Sequence, residues 1–422
     1  MINFASLWAD YALYLPALSN GYSVFAAQRS NAQIKARLPS GVRPTDFNFL
    51  SARSKLYHWP NALYSAALGF EDARPDIVKT RDRQNTFAMA DSGGFSLISG
   101  AVKYSEASFR AKVLQWQEAH FDVGLILDVP TRALSVHASG VKSFAECLNR
   151  TIDNLKFAEN NRSASSLRLL SVYQGRDHKE AEYWREQIAP YPLEGLAIAG
   201  HTRLDMWFWA EQFLKMLDAG TFDRVTHIHF LGTSRPAFAV LATALQRALR
   251  RHVNDKITVS FDSSRSFSIV QRYGQITTGL DVKGGEFRLL SHTLPQHGGD
   301  FHPHSPFPFS SPLGDGCRTG DFMSGRNPAD PAADTLGKLM LTNHSVYAEL
   351  SGILQANRLV DMAQNDKNTS VPWGIWKSVE ALDKVFSGSD VANGLKALRT
   401  HGRKLNVDVS GENERSEEGG ET

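Results

Sequence analysis

The sequence is poor in cysteine, with only Cys147 and Cys317 among its 422 residues. Two thiols exclude a disulfide framework and every metal site that needs three or four thiolates. The chain also lacks an apolar run of the roughly 20 residues that a membrane helix requires. Its N-terminal stretch has no basic region and is interrupted by Asp10, which argues against a signal peptide. A reducing, cytoplasmic location is therefore expected.

An excess of charge of one sign is also missing, because 46 Lys and Arg face 44 Asp and Glu, for a net charge of +2. Residues 408–422 nevertheless hold six acids and one arginine, a local net charge of −5, and residues 1–407 hold 45 bases and 38 acids, a net charge of +7. The mildly basic body is compatible with a polyanionic partner without establishing one. The acidic tail, 408–422, is too polar to bury a core and is predicted to be disordered.

Short apolar runs that end in a polar residue or a glycine recur from residue 85 onward, each followed by an amphipathic stretch. The runs are TFAMAD, VGLILD, LRLLSVYQG, LEGLAIAG, THIHFLG and ITVSFD. Their ends lie 26 to 46 residues apart, the length of a β-loop-α unit, and continuous apolar runs suit strands of a parallel sheet buried on both faces. With two further strands around 12–16 and 46–53, the pattern predicts an α/β fold, a (β/α)8 TIM barrel.

The same pattern divides the chain into segments. Residues 1–84 are the N-terminal part with the first barrel strands, and 85–265 hold strands three to eight. Residues 266–335, rich in Gly, Pro, His and Ser, are predicted to be a loop-rich insertion after strand eight. Residues 336–400 are predicted to form a closing helix and C-terminal helices.

Four polar residues fall at predicted strand ends, namely Asp91, Asp128, Gln174 and Asp262. The carboxyl ends of parallel barrel strands converge on one face, where active sites are built. Three carboxylates that converge there repel one another, which separates an ionised nucleophile from a protonated acid. A single strand-end Asp more often caps the following helix. Three of them with a glutamine favour a functional site.

Six segments, in this order, resemble motifs of the tRNA-guanine transglycosylases, enzymes that exchange guanine for a deazaguanine in RNA. They are MADSGGFSLISG, LILDVP, SVYQGRD, LEGLAIAGHTR, HFLGTSRP and SFDSSRSF. The resemblance covers roughly residues 85–365, and its specificity comes from the order of the motifs, because each motif alone is weak.

The resemblance implies roles for individual residues. Asp262 would be the nucleophile that forms a covalent glycosyl-enzyme intermediate, and Asp91 the general acid/base. Arg235 and Arg265 would contact nucleic acid. The substrate-binding residues would be Ser92, Gly93, Gly94, Phe95, Asp128, Tyr173, Gln174, Ala199 and Gly200. For Tyr173, an ordinary place in the core is an equally good interpretation. No cofactor is implied, because the covalent intermediate retains the bond energy.

Departures from the family concern substrate docking. The family's zinc site uses CxCxxC and a later histidine, whereas the predicted insertion has Cys317 alone. His302, His304 and His344 do not match a standard metal site together with Cys317, so no metal is expected. Ser96 replaces the glutamine of DSGGFQ.

The predicted catalytic carboxylates are present, whereas the zinc-bound element that helps dock RNA in the family is changed. The chain is therefore most similar to the DNA deazaguanine transglycosylase branch of the Dpd restriction-modification systems. The implied partners are DNA, a free deazaguanine base of the cyano-deazaguanine type, an ATPase of the same system and a second copy of the chain. A divergent tRNA-guanine transglycosylase, a non-catalytic nucleic-acid-binding paralogue and a two-carboxylate glycosidase remain alternatives. The presence of both Asp91 and Asp262 favours an enzyme.

Overall fold

An eight-stranded, all-parallel sheet organises the protein. The computed structural model describes residues 2–8, 10–28, 32–70, 72–100, 105–163, 166–283, 285–294, 302–323, 333–365 and 371–402. The strands are β1 (Leu13–Pro16), β2 (Asn61–Ser65), β3 (Phe87–Asp91), β4 (Val123–Leu125), β5 (Arg168–Tyr173), β6 (Gly195–Ile198), β7 (His227–Phe230) and β8 (Thr258–Ser263).

The strand order nearly closes the sheet into a barrel. Neighbouring strands follow one another along the chain from β2 to β8, and β8 then pairs with β1. A parallel bridge between Ala17 and Leu63, with a hydrogen bond of 2.9 Å from the Leu18 amide to the Leu63 carbonyl, brings β1 back to β2. This arrangement is compatible with a (β/α)8 barrel.

Helices cover the outside of the sheet and extend the chain beyond it. They are α1 (Phe4–Trp8), α2 (Asn20–Ala26), α3 (Ala32–Lys35), α4 (Ala66–Gly69), α5 (Gly94–Ile98), α6 (Glu106–His120), α7 (Phe144–Asn161), α8 (His178–Ile188), α9 (Met206–Asp218), α10 (Pro236–His252), α11 (Arg265–Tyr273), α12 (Thr335–Asn365), α13 (Trp373–Phe386) and α14 (Val391–Ala397). Side chains cap several first turns, as where Asp177 accepts a hydrogen bond of 2.8 Å from the Glu180 amide before α8. Short 3-10 helices and a terminal π-helical turn, Leu398–Gly402, complete the secondary structure.

The six strands predicted from residue 85 onward are confirmed as β3 to β8, but the prediction of a strand around 46–53 is wrong. The segment instead contains the 3-10 helix Pro44–Phe47, in which the Asp46 carboxylate accepts hydrogen bonds from the Arg43 and Lys55 amides. Pro44 begins this helix, since its fixed φ suits a first turn. The second barrel strand is β2, which follows a two-residue strand, Tyr57–His58.

Side chains of each strand alternate between the barrel interior and the helix layer. On β7 and β8, Phe230 and Phe261 face outward and pack on Phe238 of α10, with ring centroids 5.1 and 6.2 Å apart. The intervening His229 and Asp262 therefore face inward. This alternation decides which predicted site residues reach the barrel interior.

The segment after β8 is more regular than its composition predicts. It continues as α11 and an antiparallel hairpin of β9 (Gln275–Asp281) and β10 (Arg288–Thr293), which packs on α12. Within 266–335, the described residues thus include regular elements as well as loops, and the loop-rich insertion stays a prediction. The predicted closing helix is α12, followed by α13 and α14. The acidic tail, 408–422, lies outside the described residues.

Throughout the described ranges, every helix is too short or too polar to cross a lipid bilayer.

Candidate active site

Asp91 and Asp262 meet at the carboxyl-terminal edge of the sheet. Asp91 ends β3 and Asp262 is the penultimate residue of β8. The two carboxylates interact electrostatically, since the charge of Asp262 contributes to raising the pKa of Asp91. The fold therefore brings together the two residues that the sequence predicts as acid/base and nucleophile.

Partial burial governs the protonation of Asp91. Desolvation is the largest cause of the raised pKa of this carboxyl, and repulsion by Asp262 adds to it. A hydrogen bond from the Ser65 side chain and one of 3.3 Å from the Gly93 amide to Oδ2 oppose the shift. A raised pKa suits a carboxyl that must carry and transfer a proton.

The two glycines after Asp91 allow a close approach between two loops. Gly93 has φ of +73°, and a Cβ on Gly94 would lie 2.3 Å from the backbone oxygen of Asp128. Between them and the strand, Ser92 is buried and donates a hydrogen bond of 3.3 Å to Asp128 Oδ1. Ser92, Gly93 and Gly94 therefore hold Asp128 beside Asp91.

Asp128 lies three residues beyond β4, at the same edge. Burial, followed by the charge of Asp91, raises the pKa of this carboxyl to about 7. Near neutral pH it is therefore a mixture of acid and carboxylate, with both donor and acceptor capacity.

Gln174 fixes Asp128 and uses most of its amide in doing so. Its Nε2 donates to Asp128 Oδ2 at 3.0 Å and to the Val129 carbonyl at 3.3 Å, while its Oε1 accepts the Thr131 amide at 2.8 Å. Only 1% of Gln174 is exposed. Because both amide protons are already bonded, the contact that the structure gives this residue is with Asp128.

Asp262 is held from two sides. Its Oδ1 accepts a hydrogen bond of 3.0 Å from the Gly232 amide and lies 3.1 Å from His229 Nε2. Its backbone oxygen accepts the Thr233 amide at 2.6 Å, which fixes the loop after β7 against β8. Asp262 is 7% exposed, so these contacts are shielded from water.

The loops after β6 and β7 are joined by an arginine that the sequence analysis does not predict. Arg203 is buried and donates to the Gly200 carbonyl at 3.1 Å and to the Gly232 carbonyl at 3.4 Å. Gly200, with φ of +73°, would place a Cβ 2.7 Å from the Gly175 carbonyl. Ala199 and Gly200 are partly buried next to Gln174, on the same edge as the carboxylates.

Tyr173 does not join this cluster. As the neighbour of Gln174 it faces the helix layer, where it lines a cavity of about 50 Å³ with Arg185, Leu196 and Met216. Burial raises the pKa of its hydroxyl well beyond the usual value. Of the two interpretations of Tyr173, the structure favours a core aromatic.

Arg235 and Arg265 follow β7 and β8, so both lie at the site edge and are partly buried. Arg265 begins α11 and donates to the Ser291 hydroxyl of the hairpin at 2.6 Å. It also faces Glu349 of α12, a fully buried carboxyl whose pKa is raised by desolvation and lowered by Arg265 and nearby hydroxyls. Phe95 lies in α5, and its side chain is outside the described set.

The described histidines and the cysteine of the region after β8 do not assemble a metal-ligand group. Within the described ranges, no cluster of three His, Cys, Asp or Glu side chains is arranged to hold a metal ion. His344 instead contacts the Ser311 hydroxyl through Nδ1 at 2.9 Å and is buried beside Phe307. Burial raises the pKa of the Cys317 thiol to about 12.

Three residues that line the barrel beneath Asp262 are not predicted from the sequence: His227, His229 and Ser260. A signal for them exists: His-x-His on β7 and Ser-x-Asp on β8 have the strand period of two. Their parity with Asp262 places them in the interior. Arg203 and Glu349 leave no comparable signal, because their contacts join distant loops.

Comparison with known proteins leaves the family open. No model of a known protein family matches the chain, and no curated protein is detectably similar to it.

Proposed function

We propose that this protein is a (β/α)8-barrel transglycosylase that replaces guanine in DNA with a deazaguanine. The observation that carries the proposal is the pairing of Asp262 with Asp91 at the carboxyl edge of the sheet, in different environments. Asp262 has one oxygen held by Gly232 and His229, while the pKa of Asp91 is raised. This pairing supports one carboxylate as nucleophile and the other as proton carrier.

In the first step, Asp262 Oδ2 bonds to the sugar C1′ while the bond from C1′ to the guanine nitrogen breaks. The departing base takes the bond electrons and a proton from Asp91, which becomes a carboxylate. An aspartyl-nucleoside ester remains in the site.

In the second step, a deazaguanine gives the proton of its attacking nitrogen to Asp91. The nitrogen bonds to C1′, and Asp262 leaves as a carboxylate. Both aspartates return to their starting states, so the exchange needs no cofactor.

Asp128 is proposed to recognise the base. A guanine-type base presents N–H donors beside a carbonyl acceptor, and a carboxyl group that titrates near pH 7 can accept from those donors. Gln174 and Ser92 act on the base through Asp128, because their hydrogen bonds go to its two oxygens.

DNA is the proposed polymer because the docking element of the RNA enzymes is changed. The segment after β8 offers the single thiol Cys317, and the described part of that segment forms a hairpin against α12. The net charge of +7 over residues 1–407 is a modest match to a polyanion. The target nucleotide must leave the stack to reach the barrel edge.

A base-exchange assay tests the proposal directly. The full chain is incubated with a DNA duplex or tRNA and a cyano-deazaguanine base, and each polymer is digested to nucleosides for mass spectrometry. We expect a deazaguanine nucleoside in DNA, no product with Asp262→Asn, and normal product with the exposed control Asp153→Asn.

Other outcomes select other functions. Product in tRNA alone contradicts DNA as the substrate and favours a divergent tRNA enzyme. Absence of product and of a covalent adduct with both polymers, with the proposed ATPase partner added, contradicts the enzyme and leaves a binding paralogue.

A further inference from the structure

Four polar side chains form a hydrogen-bonded row down the interior of the sheet. His227 Nε2 lies 2.7 Å from Ser260 Oγ, Ser260 Oγ lies 2.8 Å from His229 Nδ1, and His229 Nε2 lies 3.1 Å from Asp262 Oδ1. All four residues are at most 7% exposed. The row exists because β7 and β8 pair in a register that sets His229 opposite Ser260.

The partners decide where the protons of the row lie. A carboxylate only accepts hydrogen bonds, so His229 Nε2 carries a proton toward Asp262. With that proton on Nε2, His229 Nδ1 can accept the Ser260 hydroxyl proton, and Ser260 Oγ accepts the Nε2 proton of His227.

The unpaired end of the row agrees with this arrangement. The proton arrangement leaves His227 Nδ1 without a proton, and this atom has no hydrogen-bond partner among the described residues. Burial, then electrostatic repulsion by His229, then the charge of Arg168 keep the pKa of His227 well below its usual value, so the His227 ring is neutral. A doubly protonated His229 would direct a second N–H at Ser260 and leave the hydroxyl proton without this acceptor.

Among the described residues, two hydrogen bonds to the Asp262 side chain, from His229 and from the Gly232 amide, fall on Oδ1. The ester formed through Oδ2 would keep Oδ1 as its carbonyl oxygen, still facing the same two donors. The donors are therefore in place before, during and after the attack, which is the preorganisation that such a step needs.

We infer that His229 is a positioning residue that fixes Asp262 with Oδ2 as the attacking atom, and that Ser260 and His227 set the tautomer of His229. The attack itself rests on the proposed function, whereas the proton arrangement does not. The two are therefore tested by separate measurements.

Nitrogen-15 NMR of the full chain labelled at histidine tests the arrangement in the absence of substrate. We expect each ring to carry its proton on Nε2, with the signals of His229 and His227 assigned by their loss in His229→Gln and His227→Gln. A proton on Nδ1 of His229, or on both nitrogens, overturns the inference whether or not the protein exchanges bases.

Base exchange by matched variants tests the positioning. His229→Leu removes the donor, and we expect kcat to fall about 100-fold, as for a reacting group misplaced by about 1 Å, with KM for the base unchanged. His229→Gln restores an N–H near the Nε2 position and should recover part of kcat.

Ser260→Ala keeps the contact of His229 with Asp262 but removes the tautomer control, so its kcat should fall less and its His229 spectrum should change. Ser171→Ala is the control, because Ser171 is equally buried in β5 and its hydroxyl has no partner among the described residues. Wild-type kcat in a folded His229→Leu protein overturns the inference, as does wild-type kcat in Ser260→Ala with an unchanged His229 spectrum. If His229→Leu fails to fold, Ser260→Ala and the NMR measurement decide the outcome.

Discussion

At the scale of single residues, Asp128 links the candidate site to the stability of the fold. Its pKa is raised from 3.8 to about 7 by burial and by Asp91. The folded state therefore holds this proton more tightly than the unfolded state. The resulting stabilisation is complete below pH 3.8 and is lost as the pH rises through about 7.

Asp128→Asn should remove this dependence. Above pH 7 the variant should be more stable than the wild type, by at most about 4 kcal/mol for three pKa units, and at pH 5 the two should be close. Urea unfolding at pH 5 and pH 8.5 measures the difference. Asp153→Asn, on the exposed face of α7, is the control; an equal pH response in both variants would contradict the assignment.

Gly94 tests how tightly the loop after β3 fits that after β4. A Cβ at Gly94 would lie 2.3 Å from the Asp128 carbonyl oxygen and 3.1 Å from its Oδ1. Gly94→Ala should therefore lower the free energy of unfolding by about 1–3 kcal/mol and displace Asp128, with loss of base exchange.

Gly21→Ala is the matched control for Gly94→Ala. Gly21 lies in α2, has no other heavy atom within 4 Å of a built Cβ, and is exposed. Alanine there should stabilise the helix by about 0.5–1 kcal/mol. Thermal unfolding of both variants checks the pair, and equal effects would show that the contact with Asp128 is unimportant.

At the scale of elements, apolar runs were sufficient to predict β3 to β8, because a strand buried on both faces has few polar residues. The same reasoning did not predict β2, because its sequence NALYS has no long apolar run. It placed a strand at 46–53 instead, although Pro44 and Asp46 form a 3-10 helix there. The hairpin of β9 and β10 was not predicted, because most of its residues are partly or fully exposed and the hairpin packs on α12. Its stability comes from tertiary contacts that local pattern does not contain.

Arg81 joins three elements near the other end of the sheet. Its guanidinium contacts Asp122 Oδ2 at 2.8 Å, the carbonyl at the end of α6, and Thr86 before β3, with a side chain 1% exposed. Arg81→Leu leaves these acceptors without their partner and should cost about 3–5 kcal/mol.

The control for Arg81→Leu is Arg74→Leu. Arg74 also contacts an aspartate, at 2.6 Å, but its side chain is 64% exposed. Its loss should leave the midpoint of urea unfolding near that of the wild type, since exposed ion pairs add little. Similar midpoints for the two variants would mean that the Arg81 contacts do not join the elements.

At the scale of the whole molecule, strand spacing predicted a barrel, and the parallel sheet follows that order. The convergence of Asp91, Asp128 and Asp262 could be predicted because each lies at or just beyond a strand end. The row from His227 to Asp262 could not be predicted from single strands, because it depends on the register between β7 and β8. The net charge is a property of the whole molecule that follows from the sequence alone.

The uneven charge makes a prediction about DNA binding. Residues 408–422 carry −5 and the rest of the chain +7, so under the proposed function we expect the tail to compete with DNA for the basic body. Removal of the tail should lower Kd for a DNA duplex about three- to tenfold at low salt, where the Debye length is long. At about 0.3 M salt the difference should vanish, because screening weakens the competition.

A full-length variant with the six tail acids replaced by Gln or Asn separates charge from chain length. It should bind DNA as tightly as the truncated protein across a salt titration, measured by fluorescence anisotropy, while an uncharged control ligand binds neither more nor less. Tighter binding after truncation alone would assign the effect to the presence of the tail and not to its charge. Equal affinity of all three proteins at low salt would mean that the basic body does not contact DNA, and would remove the electrostatic support for DNA as the substrate.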